Sequence, residues 1–130
     1  MAMALGSGVM TFLESCAPLP VFRPDGEAAV LKVPKEKFLK SPVVVVRVNW
    51  MPYDVLLVKK SESEYKAIYM RCSHEDQILV PSKNGLFCTA HGSTFDLDGN
   101  VTKEPALKNL TLYEVQLQND WIEVNLKKVI

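Results

Sequence analysis

The chain has 130 residues and a formal net charge of zero. That length fits one domain, and the balanced charge gives no bulk electrostatic reason to bind nucleic acid or an anionic membrane surface. Hydrophobic residues at 48% and charged residues at 23% are ordinary for a globular protein, and a domain of this size buries a core without relying on disulfides.

Met1 to Leu13 reads MAMALGSGVMTFL, apolar and uncharged. It is too short to span a bilayer as a helix. It matches the apolar region of a secretory signal but lacks a positively charged start, as a start site placed too late on a longer signal would leave it. Glu14-Ser15-Cys16 follows. A cysteine after a small residue and an apolar run is the pattern of a lipoprotein cleavage site, with Glu14 out of place. The plain alternative is a loose N-terminus with a free Cys16. Residues 1–20 are therefore expected to be a signal or tether segment, with the rest of the chain, 21–130, as the domain. The expected location is periplasmic or membrane-anchored after export, possible tethering being through Cys16; a cytoplasmic location is the alternative.

Leu19 to Gly26 carries Pro20 and Pro24 and predicts an extended linker. Ala28 to Val33 is a short apolar run closed by Pro34, and Pro34 to Leu39 is the one stretch that suits a helical turn. Val43 to Val48 reads VVVVRV, stiff at χ1 and hence strand-forming. Val55 to Val58 and Tyr65 to Met70 are separated by polar residues, which predicts a hairpin. Gln77 to Val80 and Leu86 to Cys88 flank a turn ending in Asn84-Gly85, where positive φ is expected. Phe95 to Leu97 and Val101-Thr102 flank Asp98-Gly99. Leu112 to Leu117 and Trp121 to Leu126 alternate in polarity and are joined by Asn119-Asp120. The expectation is an all-β domain, with a loop-rich middle at about 71–106 inserted between sheet strands. Trp50, Trp121 and Tyr113 are read as core residues.

Both histidines of the chain and two of its three cysteines fall within twenty residues: Cys72-Ser73-His74 and Cys88-Thr89-Ala90-His91. Each half lies beside a hairpin, so two loops can meet. Four soft or borderline donors suit zinc or an iron–sulfur cluster. Structural zinc sites usually leave two or more residues between paired ligands, and the single residue between Cys72 and His74 strains that bite. It suits two adjacent metal ions, one taking thiolates and the other imidazoles, as in a [2Fe–2S] centre with mixed ligands.

From Val43 to Leu126 the chain resembles the Rieske iron–sulfur family. The second loop, Cys88-Thr89-Ala90-His91-Gly92-Ser93-Thr94-Phe95-Asp96, is especially similar, and Glu104-Pro105-Ala106 looks like the proline-containing loop that covers the cluster. The resemblance implies an antiparallel β-sandwich or partial barrel with an inserted cluster-binding subdomain. It implies one [2Fe–2S] cluster held by Cys72, His74, Cys88 and His91. It further implies a Ser93 hydroxyl bonded to a cluster sulfur, and a Gly92 that lets the backbone approach the sulfurs and donate N–H bonds. The family members of cytochrome bc complexes carry an extra cysteine in each loop, and those two form a disulfide. The matching positions here look like Gln77 and Ala90. Phe95 stands where the high-potential group tends to have tyrosine, which resembles the oxygenase ferredoxins, whereas Ser93 resembles the high-potential side.

The function this implies is one-electron transfer between redox partner proteins, either as the Rieske subunit of a membrane or periplasmic redox chain or as a ferredoxin feeding an oxygenase. A catalytic oxygenase would also need a mononuclear iron site with two further histidines, and the chain has only two in all. A structural zinc module is the remaining alternative, distinguished from a red-brown Rieske protein by having no colour.

Overall fold

Four consecutive valines, Val43–Val46, are all buried, because their strand has apolar neighbours on both faces. Val44 and Val46 point into one core with Leu57, Ala67, Tyr113 and Ile122. Val43 and Val45 point into another with Leu56, Ile68, Leu79 and Phe95. A strand with no solvent face needs no polar alternation, which is why this run is continuous.

The computed structural model describes residues 18–130. Its strands in chain order are β1 (Val21–Phe22), β2 (Val30–Pro34), β3 (Val43–Val46), β4 (Val55–Ser61), β5 (Glu64–Tyr69), β6 (Leu79–Pro81), β7 (Leu86–Cys88), β8 (Thr94–Phe95), β9 (Val101–Lys103), β10 (Leu112–Gln118) and β11 (Trp121–Val129). A 3-10 turn at Lys35–Phe38 occupies the predicted helical turn. Seven strands form one sheet in the order β1-β3-β4-β5-β10-β11-β2, and four form a second in the order β6-β7-β8-β9. The large sheet curls around the first core as a partial barrel, and its two outer strands line a shared groove of about 510 Å³ with Phe22, Val30, Leu31 and Trp121.

Strands β5 and β10 are antiparallel neighbours, with Leu112 opposite Ile68 and Tyr113 opposite Ala67. The chain therefore leaves the large sheet after β5, builds the small sheet, and returns beside the strand it left. The small sheet packs on the outer face of β3, β4 and β5 through the second core.

The structure corrects several sequence expectations. The predicted linker contains β1, which pairs parallel with β3, Val21 opposite Val45, so the sheet is not wholly antiparallel. Trp50 and Trp121 are 42% and 44% exposed. Trp50 sits in the turn after β3, and Trp121 begins β11 at the groove between the sheet edges. Tyr113 is buried as expected, edge-on to Tyr69, and burial pushes its phenol pKa up. At the Asn84-Gly85 turn the positive φ falls on Gly85, at +158°. Among the described residues Asn119 is the non-glycine with that conformation, at φ 52°.

Candidate metal centre

Cys72 and Cys88 are each 1% exposed and are free thiols. They lie in the second core with Leu79, Leu86, Phe95 and Ala106. Cys88 ends β7 and faces Leu79 of β6 across the ladder. Cys72 follows a bridge between Arg71 and Ile78, and its N–H donates to the Gln77 carbonyl at 2.9 Å. Both thiols are thus fixed by backbone pairing at the root of their loops.

The two histidines are exposed, at the surface end of those loops. Their rings are 5.2 Å apart at the centroids and nearly perpendicular, at 89°. Glu75 lies beside them, with its carboxylate 3.7 Å from His91 Nδ1, beyond hydrogen-bond range. Next along the loop, Asp76 pairs with Arg71, and this pairing raises the Arg71 pKa, the hydrogen bond contributing most. The two thiols share the second core and the two imidazoles meet at the surface.

The second loop is closed by two backbone bonds. The Cys88 N–H donates to the Ser93 carbonyl at 2.8 Å and the Gly92 N–H donates to the Cys88 carbonyl at 2.9 Å. Gly92 has φ +81°, a conformation that favours glycine, and a Cβ there would meet open space. The turn itself therefore requires Gly92.

Ser93 is completely buried. Its Oγ accepts the Ala106 N–H at 3.0 Å, which leaves the hydroxyl hydrogen uncommitted by that bond. Ser73, between the two residues of the first pair, donates its hydroxyl to the Lys108 carbonyl. Neither bond was visible in the sequence. The partners lie 35 and 13 positions away, and only the proline-containing stretch hinted that a third segment comes near. Asp98, in the β8–β9 turn, bonds Lys60 and Lys66 at 2.9 Å each. Those bonds, first from Lys60 and then from Lys66, hold its carboxyl below the usual range and tie the small sheet to β4 and β5.

The donor set fits a [2Fe–2S] cluster. Two unbridged thiols shielded from water are soft anionic ligands once deprotonated, and two exposed imidazoles within one ring contact supply the other pair.

Comparison with known proteins agrees. A family model for the Rieske [2Fe-2S] domain matches residues 27–114. The ubiquinol-cytochrome c reductase iron-sulfur subunit of Blastochloris viridis is 37% identical over 60 residues, which cover 44% of this chain and 34% of that protein, so the chain matches about a third of that relative's length. The plasma membrane Rieske protein PetC3 from Synechocystis PCC 6803 superposes with a TM-score of 0.51 at 28% identity, covering 57% of this chain and 79% of that one. The ferredoxin of carbazole 1,9a-dioxygenase from Nocardioides aromaticivorans IC177 superposes at 0.52 with 20% identity, covering 71% and 91%, a likeness of fold. The match spans most of the described residues, and the chain belongs to the Rieske [2Fe-2S] domain family.

Proposed function

We propose that this protein carries single electrons between redox partner proteins through one [2Fe–2S] cluster held by Cys72, His74, Cys88 and His91. The observation that carries this reading is the pairing of two buried, unbridged thiols with two exposed imidazoles in adjacent loops. The cluster supplies a one-electron couple, and two neutral imidazoles in place of thiolates raise its potential above that of all-cysteine clusters. The chain's own residues do the rest. The second core keeps water from the thiolates, and the exposed edges of His74 and His91 give a partner protein its nearest approach. Gly92 shapes the second loop, and Ser93 has a hydroxyl hydrogen available for a sulfur.

Similarity to the iron-sulfur subunit of a ubiquinol–cytochrome c reductase and to a plasma membrane Rieske protein supports service in a membrane redox chain. The apolar start of the chain supports export and tethering, with Cys16 as the candidate attachment point. Cys16 and the residues around it lie outside the described residues. Among the described residues no helix is long and apolar enough to cross a membrane. The second reading, a ferredoxin feeding an oxygenase, is favoured by Gln77 and Ala90 in place of a cysteine pair and by Phe95.

Iron and acid-labile sulfide assays on protein made with ample iron test the cluster, with two of each expected per chain. One zinc and no sulfide would end the reading. Cell fractionation with mass spectrometry of the native N-terminus tests the location. A lipid-modified Cys16 in the membrane fraction supports the tether, and an unprocessed chain in the cytosol supports the ferredoxin.

A further inference from the structure

The two acidic side chains that follow His74 differ in what surrounds them. Asp76 pairs with Arg71. Glu75 has no lysine or arginine in ion-pair contact among the described residues, and its carboxylate faces the His91 ring, 3.7 Å away at Nδ1. One Glu75 oxygen and one ring nitrogen from each histidine all lie within 4.8 Å of one another. The loop backbone holds the glutamate there. The Gln77 N–H donates to the Glu75 carbonyl at 2.8 Å, and the Cys72 N–H donates to the Gln77 carbonyl at 2.9 Å. The side chains of Glu75 and His91 are both half-exposed. The chain as a whole has a formal net charge of zero, so no large global charge masks a local one.

We infer that Glu75 is a fixed negative charge that lowers the reduction potential of the proposed centre. The inference rests on the ligand assignment proposed above. Reduction adds one electron, and therefore one negative charge, to a cluster whose imidazole ligands are the groups Glu75 faces. Repulsion between like charges rises as their separation falls, so a carboxylate against the ligand rings outweighs charges elsewhere on the surface. Its contacts lie well inside the roughly 8 Å screening length at physiological salt. Asp76 does not act in the same way, because the Arg71 guanidinium offsets its charge. The oxidised state is therefore favoured, and the reduced protein is a stronger electron donor than the same site with an uncharged residue at this position. The effect opposes that of the Ser93 hydroxyl, which acts from the buried side.

The test compares the reduction potentials of wild type, Glu75→Gln, Glu75→Asp and Glu64→Gln as purified holoproteins at neutral pH, by redox titration followed with visible circular dichroism. Glu64 is exposed at the far end of β5, about 16 Å of strand from Tyr69, and controls for a charge lost beyond the screening length. At about 0.15 M salt, Glu75→Gln is expected to favour reduction about two- to fivefold, which is about 20–40 mV upward for one electron. At about 1 M salt the shift should shrink, because the screening length falls to roughly 3 Å. Glu75→Asp, which keeps the charge, and Glu64→Gln are expected to stay near the wild-type value. An unchanged potential in Glu75→Gln with iron and sulfide intact would overturn the inference, as would an equal shift in Glu64→Gln or in Glu75→Asp. Loss of the cluster from Glu75→Gln would assign the carboxylate to holding the site instead of tuning it, and would overturn the inference too. A wild type without iron and sulfide would instead refute the cluster proposal, so the two failures are distinguishable.

Discussion

His74 and His91 stand edge to face, ring centroids 5.2 Å apart, on the exposed side of two loops whose cysteines are buried. The contact joins the loops at their outer end, where no backbone ladder reaches. The proposed set has four ligands, and each is indispensable to it. Cys72→Ser and His91→Ala are expected to retain little or no cluster, read from visible absorption and iron content. The curled large sheet has its own core, so circular dichroism should still report strand structure in both. Full cluster content in either variant would refute the assignment.

Ser93 and Phe95 are expected to set the reduction potential from opposite directions. Adding an electron puts negative charge on the cluster sulfurs, and a hydroxyl aimed at a sulfur stabilises it. Hydrogen bonds to charged groups contribute roughly 1.5–3 kcal/mol, of which only the strengthening on reduction counts. One kcal/mol corresponds to about 43 mV for one electron. Ser93→Ala should therefore lower the potential by tens of millivolts, up to about 100 mV. Phe95 is buried in the same core as both thiols, so Phe95→Tyr should raise the potential by placing a hydroxyl there. Protein-film voltammetry reads both. An unchanged potential in Ser93→Ala with the cluster intact would make the serine a turn residue only.

Asp98 joins the small sheet to the large one through Lys60 and Lys66, and its carboxyl is held below the ordinary range. A carboxylate with a lowered folded pKa stabilises the fold above the unfolded value, near 3.9, and loses that contribution as pH falls through the folded value. Asp98→Asn should lower the urea midpoint by a similar amount from pH 8 to pH 5, with the gap closing below about pH 4. High salt should narrow it as well, since the pairs are near the surface. A gap that persists undiminished at pH 3 would show that the carboxylate charge is not what matters.

Gly85 is demanded by a close approach between strands. A Cβ built there would sit 2.4 Å from the Phe95 backbone oxygen, across the β7–β8 pair that carries Cys88. Backbone cannot yield as a flexible side chain would, so Gly85→Ala should destabilise by about 1–3 kcal/mol and slow cluster incorporation. Gly26→Ala meets nothing within 4 Å and tests the cost of φ alone. Equal stability losses in the two variants would mean that the β7–β8 approach is not the constraint.

The family was legible in the sequence, and the proposed donor set could be named from it, because that information is local and chemical. Cys72-x-His74 and Cys88-x-x-His91 state their own spacing, and runs such as Val43–Val46 state a strand with two apolar neighbours without saying which they are. The hairpins from β4 to β5 and from β10 to β11 were legible for the same reason, since turn residues stand between matched runs. What the tertiary structure alone decided depends on separation in the chain. The parallel pairing of β1 with β3, the return of the chain beside β5, and the exposure of Trp50 and Trp121 follow from where the curled sheet ends. The bonds from Ser73 to Lys108 and from Ala106 to Ser93 span 35 and 13 residues. A serine hydroxyl bonds equally well to many backbone groups, so its partner is chosen only when burial of Ala106 in the second core brings that segment into reach.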